Sequence, residues 1–512
     1  MSENPKVVLI NPPVVKPSEP PAGIAKLAGC LKANNISYQV IDANAEGIHF
    51  LLGQTEVENE WPDKWSRRVC ENLETNIAAL RNIETYKNKS RYSRAAQDVN
   101  RVLQLAGKPY GVNLTLSDFT NNMLTPVKSA DLLRAAQMPD NNPFYPYFSA
   151  RLLGLFQEDP DYIGFSVNYL SQALCAFAMI GFIKNFNPRL KIVLGGSLVT
   201  SWAALGMRKD KFAGLVDEMI AGAGEEKLLE LLGVENKKIN CAPDYDDFSA
   251  RLYLSPGFIL PYSASRGCYW RGCAFCPERA EVNPYLPLSL AQVNQELAQL
   301  LEKYQPVLVH FLDNALSPAM LKNLAQYPPG APWYGFARIS NELADEDFCL
   351  ALKKSGCVML KLGIESGDQD VLDKLNKGIN LTDASAALLS LKKAGIAVYV
   401  YLLFGTPQEF EANARKTMDF TVAHSDCIAF LNLAIFNLPI ASAEAQNLQT
   451  DKFYEGDLSL YSSFHHPAGW DRQAARNFLE KTFKKHPAVA PIIRRMPEFF
   501  TSNHAPFFSM QS

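Results

Sequence analysis

The chain begins its regular pattern with a short apolar run, "KVVLI" at 6–10, which breaks at "NPP". A run too short for a helix and without polar alternation predicts a strand buried on both faces. "AGIAKLAGCLKANN" then places Ile24, Leu27, Ala28 and Leu31 on one helical face, and "SYQVIDAN" reads as a second strand. Strand, helix and strand in that order predict a parallel pair joined by a crossover helix.

The rhythm stops for residues 49–158, which are polar and mostly of helical period ("ENLETNIAALRNIE", "SRAAQDVNRVLQLAG"), with an aromatic loop "NNPFYPYF". It resumes with "YIGFSVNY" (162–169), a helix to about Asn187, the strand "KIVLGG" and "GLVDEMIAGAGEEKLLELLG". The pattern predicts an α/β, Rossmann-like domain over 1–48 and 159–236, split by a helical insertion over 49–158. The polar stretch 237–258, with two prolines, reads as a linker.

A second alternating series follows, with candidate strands at 259–264, 306–312, 332–338, 358–363, 397–404 and 428–434. Each but the last precedes a helix-like segment. Ser289 and Gln292 form a capping-box start, and Leu290, Val293, Leu297 and Leu301 share one face. This predicts a partial (βα)6 barrel over 259–436, with chemistry at the C-terminal ends of its strands. Residues 437–512 form a C-terminal extension of weaker pattern.

Composition changes this picture little. The 512 residues are 47% hydrophobic and 20% charged, with a formal net charge of −3 and no Lys/Arg run, so no nucleic-acid surface is indicated. The most apolar segment, "ALCAFAMIGFI" from Ala173 to Ile183, is about half the roughly 20 residues of a membrane span, which predicts a buried helix. The start carries no basic region followed by a long apolar stretch, and a cytoplasmic location is the expectation.

Of ten cysteines, Cys30, Cys70, Cys175, Cys241, Cys349, Cys357 and Cys427 are scattered and read as small buried hydrophobes. The other three crowd into "SRGCYWRGCAFCPER" (265–279) as Cys268, Cys273 and Cys276. Thiolates suit zinc or an iron–sulfur cluster. A structural zinc site wants four ligands, usually in pairs. No fourth is near: His49 lies far upstream and His310 well downstream. Three ligands on a four-iron cluster would leave one iron open to a small molecule.

"GCYWRGCAFC" resembles the cluster loop of the radical S-adenosylmethionine (SAM) superfamily, and it follows the first strand of a βα series as it does there. The first two cysteines are separated by four residues, Tyr269 to Gly272, where the usual family spacing is three. The resemblance implies a [4Fe-4S] cluster on the three cysteines, with Phe275 near the SAM adenine. "LGIESGDQDVLDKLNKG" (362–378) is similar to the fourth-strand segment, which implies that Glu365 and Ser366 face the ribose or methionine part of SAM. "VYVYLLFGTPQE" (398–409) resembles the fifth strand, with Leu403 and Gly405 beside the adenine. In "HFLDNALSP", Asp313 and Asn314 take the place where related proteins bind the SAM amino group, although the more widespread Gly-Gly-Glu is absent.

The first domain resembles the cobalamin-binding domain that precedes some radical SAM barrels. "SVN" at 166–168 and the glycine pair "GG" at 195–196, followed by "LVTSW" and "GAGEE", carry that similarity. It implies a channel for the cofactor's nucleotide tail lined by Ser166, Asn168, Gly195, Gly196, Thr200 and Gly222. Gly195 and Gly196 also read simply as a tight turn after a strand. The motif Asp-x-His-x-x-Gly is missing, and "NPPVVKPSEPPAG" stands in its place without a histidine. Cobalamin-dependent radical SAM proteins share this loss, as would a degenerate domain.

Together these resemblances imply an enzyme that cleaves SAM reductively and, with cobalamin, methylates an unactivated carbon. Its partners would be a small-molecule, lipid or peptide substrate and an electron donor such as flavodoxin or ferredoxin. A cobalamin-independent radical SAM enzyme, acting by ring formation, rearrangement or oxidation, is one alternative; an iron–sulfur or corrinoid sensor is another. The histidines His465, His466 and His504 and Trp470 in the extension read as loop features before they read as a site.

Overall fold

The computed structural model describes residues 6–54, 62–498 and 504–509. The expectations for the first five residues, for 55–61 of the insertion, and for 499–503 and 510–512 of the extension lie outside the described residues. The chain divides into two units. One comprises Met1–Gly257, Tyr454–Leu460 and Glu498–Phe500; the other comprises Phe258–Phe453, Tyr461–Pro497 and Thr501–Ser512.

The first unit is built on a five-stranded parallel sheet: β1 (Lys6–Ile10), β2 (Ser37–Ile41), β3 (Tyr162–Ser166), β4 (Lys191–Gly195) and β5 (Glu218–Met219), in the order β2-β1-β3-β4-β5. The order reverses between β1 and β3, and open α/β sheets hold ligands at the strand ends beside such a switch. The apolar segment at 173–183 lies in the helix Leu170–Phe186, which is buried almost all round. The insertion supplies much of the cover. Its helix Ser129–Gln137 packs so closely that a Cβ at Gly181 would meet the Ala136 carbonyl oxygen at 1.9 Å.

Two differences from the sequence reading stand out here. The insertion is not wholly helical: Val112–Leu114 and Phe119–Asn121 form an antiparallel hairpin. Its turn is closed by Thr115, whose Oγ1 accepts from the Asp118 backbone N–H at 2.9 Å. The stretch 237–258, expected to be a linker, instead lies as a strap on the first unit. Tyr245, Tyr253 and Leu254 are fully buried. Asp244 accepts from Lys32 at 2.6 Å and Tyr38 at 2.7 Å, and the Tyr253 hydroxyl donates to Asp42 at 2.7 Å. Asp244 and Tyr253 thus bond to the helix and strand edge of the first unit, where a composition argument reads polar residues as solvent-exposed.

The second unit holds six parallel strands: β6 (Ile259–Tyr262), β7 (Leu308–Leu316), β8 (Trp333–Ala337), β9 (Cys357–Glu365), β10 (Ala397–Phe404) and β11 (Phe430–Ile435). They pair in chain order from β6 to β11, the arrangement of a partial barrel. Ser289 caps the helix Leu290–Tyr304 by accepting from the Gln292 N–H, and the Gln292 amide reaches forward to Glu296 at 2.8 Å. At the other end of the strands, His504 stacks on Tyr399 and Phe508 packs on Phe430, so part of the extension covers the barrel floor. β7 runs further than its apolar pattern suggests, carrying Asp313 and Asn314 within the strand.

Candidate functional site

The cysteine loop leaves the barrel through Ser265–Arg266 and returns through Leu286–Pro287, which pair antiparallel. Gly267 has φ +68, and a Cβ there would meet the Pro284 carbonyl oxygen at 2.2 Å, so only glycine lets the two arms close. The exit is anchored by Asp313, which is 2% exposed. One of its carboxylate oxygens accepts from the Ala264 N–H at 3.0 Å and the other from the Ser265 hydroxyl. Burial pushes the Asp313 carboxyl above its ordinary value, against the pull of those bonds. Asn314, its neighbour, is exposed.

All three loop cysteines are free thiols. Cys276 precedes the turn of helix Pro277–Ala280, and the backbone N–H groups of Glu278 and Arg279 bond toward its sulfur. Burial outweighs them and pushes the thiol to about 11. Burial also raises Cys273, opposed by the nearby charges of Lys377 and Arg338. Among the described residues, no three His, Cys, Asp or Glu groups converge as ligands of a single metal ion. Cysteines bound to separate irons of one cluster need not converge, because each holds its own corner.

The loop is fastened to segment 375–378, just past the helix Gln369–Lys374 that follows β9. The Ala274 N–H donates to the Leu375 carbonyl at 2.9 Å, the Trp270 indole N–H to the Asn376 carbonyl at 3.0 Å, and the Asn376 amide to the Gly272 carbonyl at 2.9 Å. Arg338, just beyond β8, stacks over Trp270 with its guanidinium carbon 4.5 Å from the ring centroid. It donates to the Cys273 sulfur at 3.7 Å and to the Lys377 carbonyl. The Lys377 ammonium in turn donates to Glu365 at 2.8 Å and sits 5.6 Å from the Phe275 ring centroid. The Lys377 and Glu365 side chains are 7% and 12% exposed.

Glu365 owes its direction to backbone irregularity. The register with β10 shifts between Gly363 and Glu365, and Glu365 has φ +68. A bulge of this kind re-aims a side chain at a strand end. A Cβ at Gly363 would meet the Glu365 Oε1 at 2.4 Å, so the glycine makes room for the carboxylate. Ser366 faces the other way. Fully buried, its hydroxyl meets Thr417 at 3.2 Å and accepts from the Asp368 N–H at 3.1 Å.

At the end of β10, Leu403 is half-buried and Gly405 has φ +73. The Gly405 N–H donates to Glu409 at 2.5 Å, and the Trp470 indole donates to the same oxygen at 2.9 Å. Burial lifts the Glu409 carboxyl to about 7. His466 bonds the Thr406 carbonyl at 3.0 Å through Nε2 while its Nδ1 accepts from the Ala468 and Trp470 N–H groups, which makes it a strut between these segments. His465 is exposed beside Asp451 at 2.8 Å.

In the first unit the six candidate residues gather at the C-terminal edge of the sheet. The Ser166 hydroxyl accepts from Asn168 at 3.1 Å, Asn168 accepts from the Ser197 N–H at 3.0 Å, and Thr200 accepts from the Gly222 N–H at 2.8 Å. Gly196 has φ +107, and a Cβ there would strike the Val167 carbonyl oxygen at 2.4 Å; its need for glycine comes from the backbone alone. A Cβ at Gly195 meets nothing closer than 3.5 Å, and one at Gly222 meets nothing within 4 Å. The loop that lacks the histidine is pinned by Gln172, which donates to Asn11 at 3.1 Å and to the Pro12 carbonyl at 2.8 Å.

Of the seven scattered cysteines, five are buried, but Cys70 and Cys241 are half-buried. Cys241 sits in the polar strap, where its thiol donates to the Lys238 carbonyl at 3.3 Å. Sequence reasoning singled out neither Arg338 nor Lys377. For Arg338 the available signal was position, since it directly follows the C-terminal end of β8; Lys377 lies beyond the helix Gln369–Lys374 that follows β9 and carried no such signal.

Residues 262–421 match the family model of the Radical SAM superfamily. Six parallel strands in chain order and a cysteine loop after the first make the second unit similar in fold to the domain that this model describes. The chain is 25% identical over 302 residues to an uncharacterized methyltransferase of Pyrococcus horikoshii, covering 51% of this chain and 64% of that protein. It is 25% identical over 254 residues to the bacteriochlorophyllide d C-12(1)-methyltransferase of Chlorobaculum tepidum, covering 46% of this chain and 54% of that one. The alignments thus take in less than two thirds of either relative. Among solved structures, the radical SAM methyltransferase TsrM of Kitasatospora setae, with cobalamin and a [4Fe-4S] cluster bound, superposes with a TM-score of 0.53. That match has 15% identity and covers 86% of this chain and 74% of that one, a likeness of fold.

Proposed function

We propose that the protein is a radical SAM enzyme with a [4Fe-4S] cluster on Cys268, Cys273 and Cys276, and that it methylates an unactivated carbon of its substrate with the help of cobalamin. The observation that carries this reading is the cysteine loop itself. Its three free thiols stand at the C-terminal end of a partial barrel, two cations lie close to Cys273, and Glu365 is turned toward the same place. The donor set fits the cluster: the Arg338 guanidinium and the amides at Cys276 offer hydrogen bonds that thiolate sulfur accepts. The open edge above Gly195 and Gly222 fits an extended ligand on the first unit.

When bound, the cluster and SAM supply a one-electron cleavage of the sulfonium, and cobalamin supplies a methyl group. The chain's own residues do the placing. Asp313 fixes the loop exit, Arg338 and segment 375–378 fix the cysteines, and Glu365, held by Lys377, would bind SAM together with Phe275, Leu403 and Gly405. Asn314 is exposed and available to SAM, whereas Asp313 and Ser366 act through the backbone they hold. In the first unit, Ser166, Asn168 and Thr200 form the polar floor on which a nucleotide tail would rest. A small-molecule, lipid or peptide substrate and an external reductant complete the reaction. No helix among the described residues is long and apolar enough to cross a membrane.

The test is anaerobic purification with cobalamin supplied, followed by iron and cobalt analysis and a reductive SAM-cleavage assay. Iron, cobalamin and cleavage products support the full reading. Zinc at one equivalent, with no rebuildable cluster, overturns it.

A further inference from the structure

Arg338 has four partners in one small space. Its guanidinium lies over the Trp270 ring, donates to the Cys273 sulfur and to the Lys377 carbonyl, and bonds toward the Tyr269 phenol. It is 8% exposed. A guanidinium is planar, always charged and divided into separate donors, so stacking on an indole leaves its N–H groups free to be aimed. Trp270 is fixed by its own bond to the Asn376 carbonyl. The side chain is therefore locked from its face and along its edge, and the N–H on Cys273 cannot swing away without breaking the other contacts. Lys377 is the second cation near Cys273, but its ammonium is neutralised by Glu365 at 2.8 Å. Arg338 has no carboxylate among the partners its bonds name. Its charge acts on the sulfur.

We propose that Arg338 is a redox-tuning residue, whose guanidinium donates to the Cys273 sulfur and stabilises the reduced form of the cluster that this cysteine would hold. The inference rests on the cluster reading above. Reduction adds one negative charge to the cluster. A cation and an N–H bond at a ligand sulfur favour the reduced state and so raise the potential, and hydrogen bonds to sulfur and net charge are among the main determinants of that potential. Burial strengthens the effect, because little water is present to screen the charge.

The experiment is a redox titration of the reconstituted cluster, followed by the paramagnetic signal of its reduced form, in wild type, Arg338→Lys and Arg338→Gln, with iron and sulfide counted in each. Arg338→Gln should move the midpoint to more negative potential. At the wild-type midpoint its ratio of reduced to oxidised cluster should fall about tenfold, equivalent to about 59 mV for one electron. Arg338→Lys, which keeps a cation, should lie between the two. An unchanged midpoint in Arg338→Gln overturns the proposal, as does an equal shift in both variants. Loss of iron from both variants while wild type stays loaded also overturns it, since Arg338 would then be structural support. Lost SAM affinity at an unmoved midpoint overturns it in favour of a direct SAM contact. Wild type without a rebuildable cluster overturns the cluster reading itself, a separate result.

Discussion

The Trp270 ring fills the space that a side chain at position 378 would need: a Cβ on Gly378 would meet a ring carbon at 2.0 Å. The contact ties the cysteine loop to a segment more than a hundred residues later. Gly378 has φ +65, so an added side chain also meets backbone strain. Gly378→Ala should cost roughly 1–3 kcal/mol by overpacking alone and loosen the loop. Gly395→Ala is the control. It has a similar φ, +73, but its Cβ would meet nothing nearer than Lys353 at 4.0 Å. Melting curves and iron retained after desalting should separate the two; equal effects would mean that the ring contact is unimportant.

Asp313 distinguishes a strut from a ligand-binding group. Removing its carboxylate by Asp313→Ala strands the Ala264 N–H and the Ser265 hydroxyl, at about 1–3 kcal/mol for the buried donors. Asp313→Asn keeps one acceptor and should retain most of the stability and cluster. Loss of SAM affinity in Asp313→Asn, at full iron content and unchanged melting temperature, would return Asp313 to the role of a SAM contact.

The Glu365–Lys377 pair is nearly buried on both sides. Breaking such a pair from one side leaves a stranded charge, at about 3–5 kcal/mol. Lys377→Met should therefore destabilise more than the double variant Lys377→Met with Glu365→Gln. Glu365→Gln alone should keep the cluster and lose most SAM affinity. Unchanged SAM binding in that variant would move the pocket elsewhere.

How much of this was legible beforehand follows the range of the interactions. Both sheets and the cysteine loop are written in local pattern: strands such as 397–404 are continuous apolar runs, and Cys268, Cys273 and Cys276 lie within one turn-rich segment. The network around them is not local. Arg338 reaches Cys273 only because β6 and β8 flank β7 in one sheet, and Trp270 meets Gly378 only after folding. Polar residues carry partners that the pattern does not show. Asp244 and Tyr253 looked like linker but bond to the first unit, and Asp313 and Ser366, read as SAM-facing, each also hold backbone. Composition records that a residue is polar, not which partner satisfies it.

Glu409 should make stability depend on pH. Its carboxyl is buried and lifted to about 7, mainly by burial, with Asp368 adding to the shift and the Gly405 and Trp470 bonds opposing it. The folded state then holds a proton that the unfolded chain releases near 4.5. The contribution is fully present below that value and is lost as pH rises through 7, on the order of 3 kcal/mol at 1.36 kcal/mol per unit. Glu409→Gln, which keeps an acceptor, should flatten this part of the pH profile and melt above wild type at pH 8. A profile unchanged by the substitution would show that another group titrates.

Gly195 and Gly196 allow a cleaner test of cobalamin than the pair suggests. Substituting Gly196 answers nothing, because its Cβ would collide with the Val167 backbone whether or not a ligand is there. Gly195 ends β4 in ordinary strand geometry, and a Cβ there makes only a normal contact with the Ile220 carbonyl oxygen at 3.5 Å. Gly195→Val suits a strand end, so the fold and melting temperature should hold. If a nucleotide tail runs past this edge, the added methyls stand in its way, and affinity for hydroxocobalamin should fall at least tenfold while cluster content stays constant. Since the loop between β1 and the helix Ala22–Ala33 carries no histidine, the cob(II)alamin form should show no nitrogen superhyperfine splitting from a protein imidazole. Splitting would place a histidine from elsewhere on cobalt. Wild-type affinity in Gly195→Val would remove the tail channel from this edge. A wild-type protein that binds no cobalamin at micromolar concentrations would remove methyl transfer, and the radical SAM domain would then have to act with SAM alone.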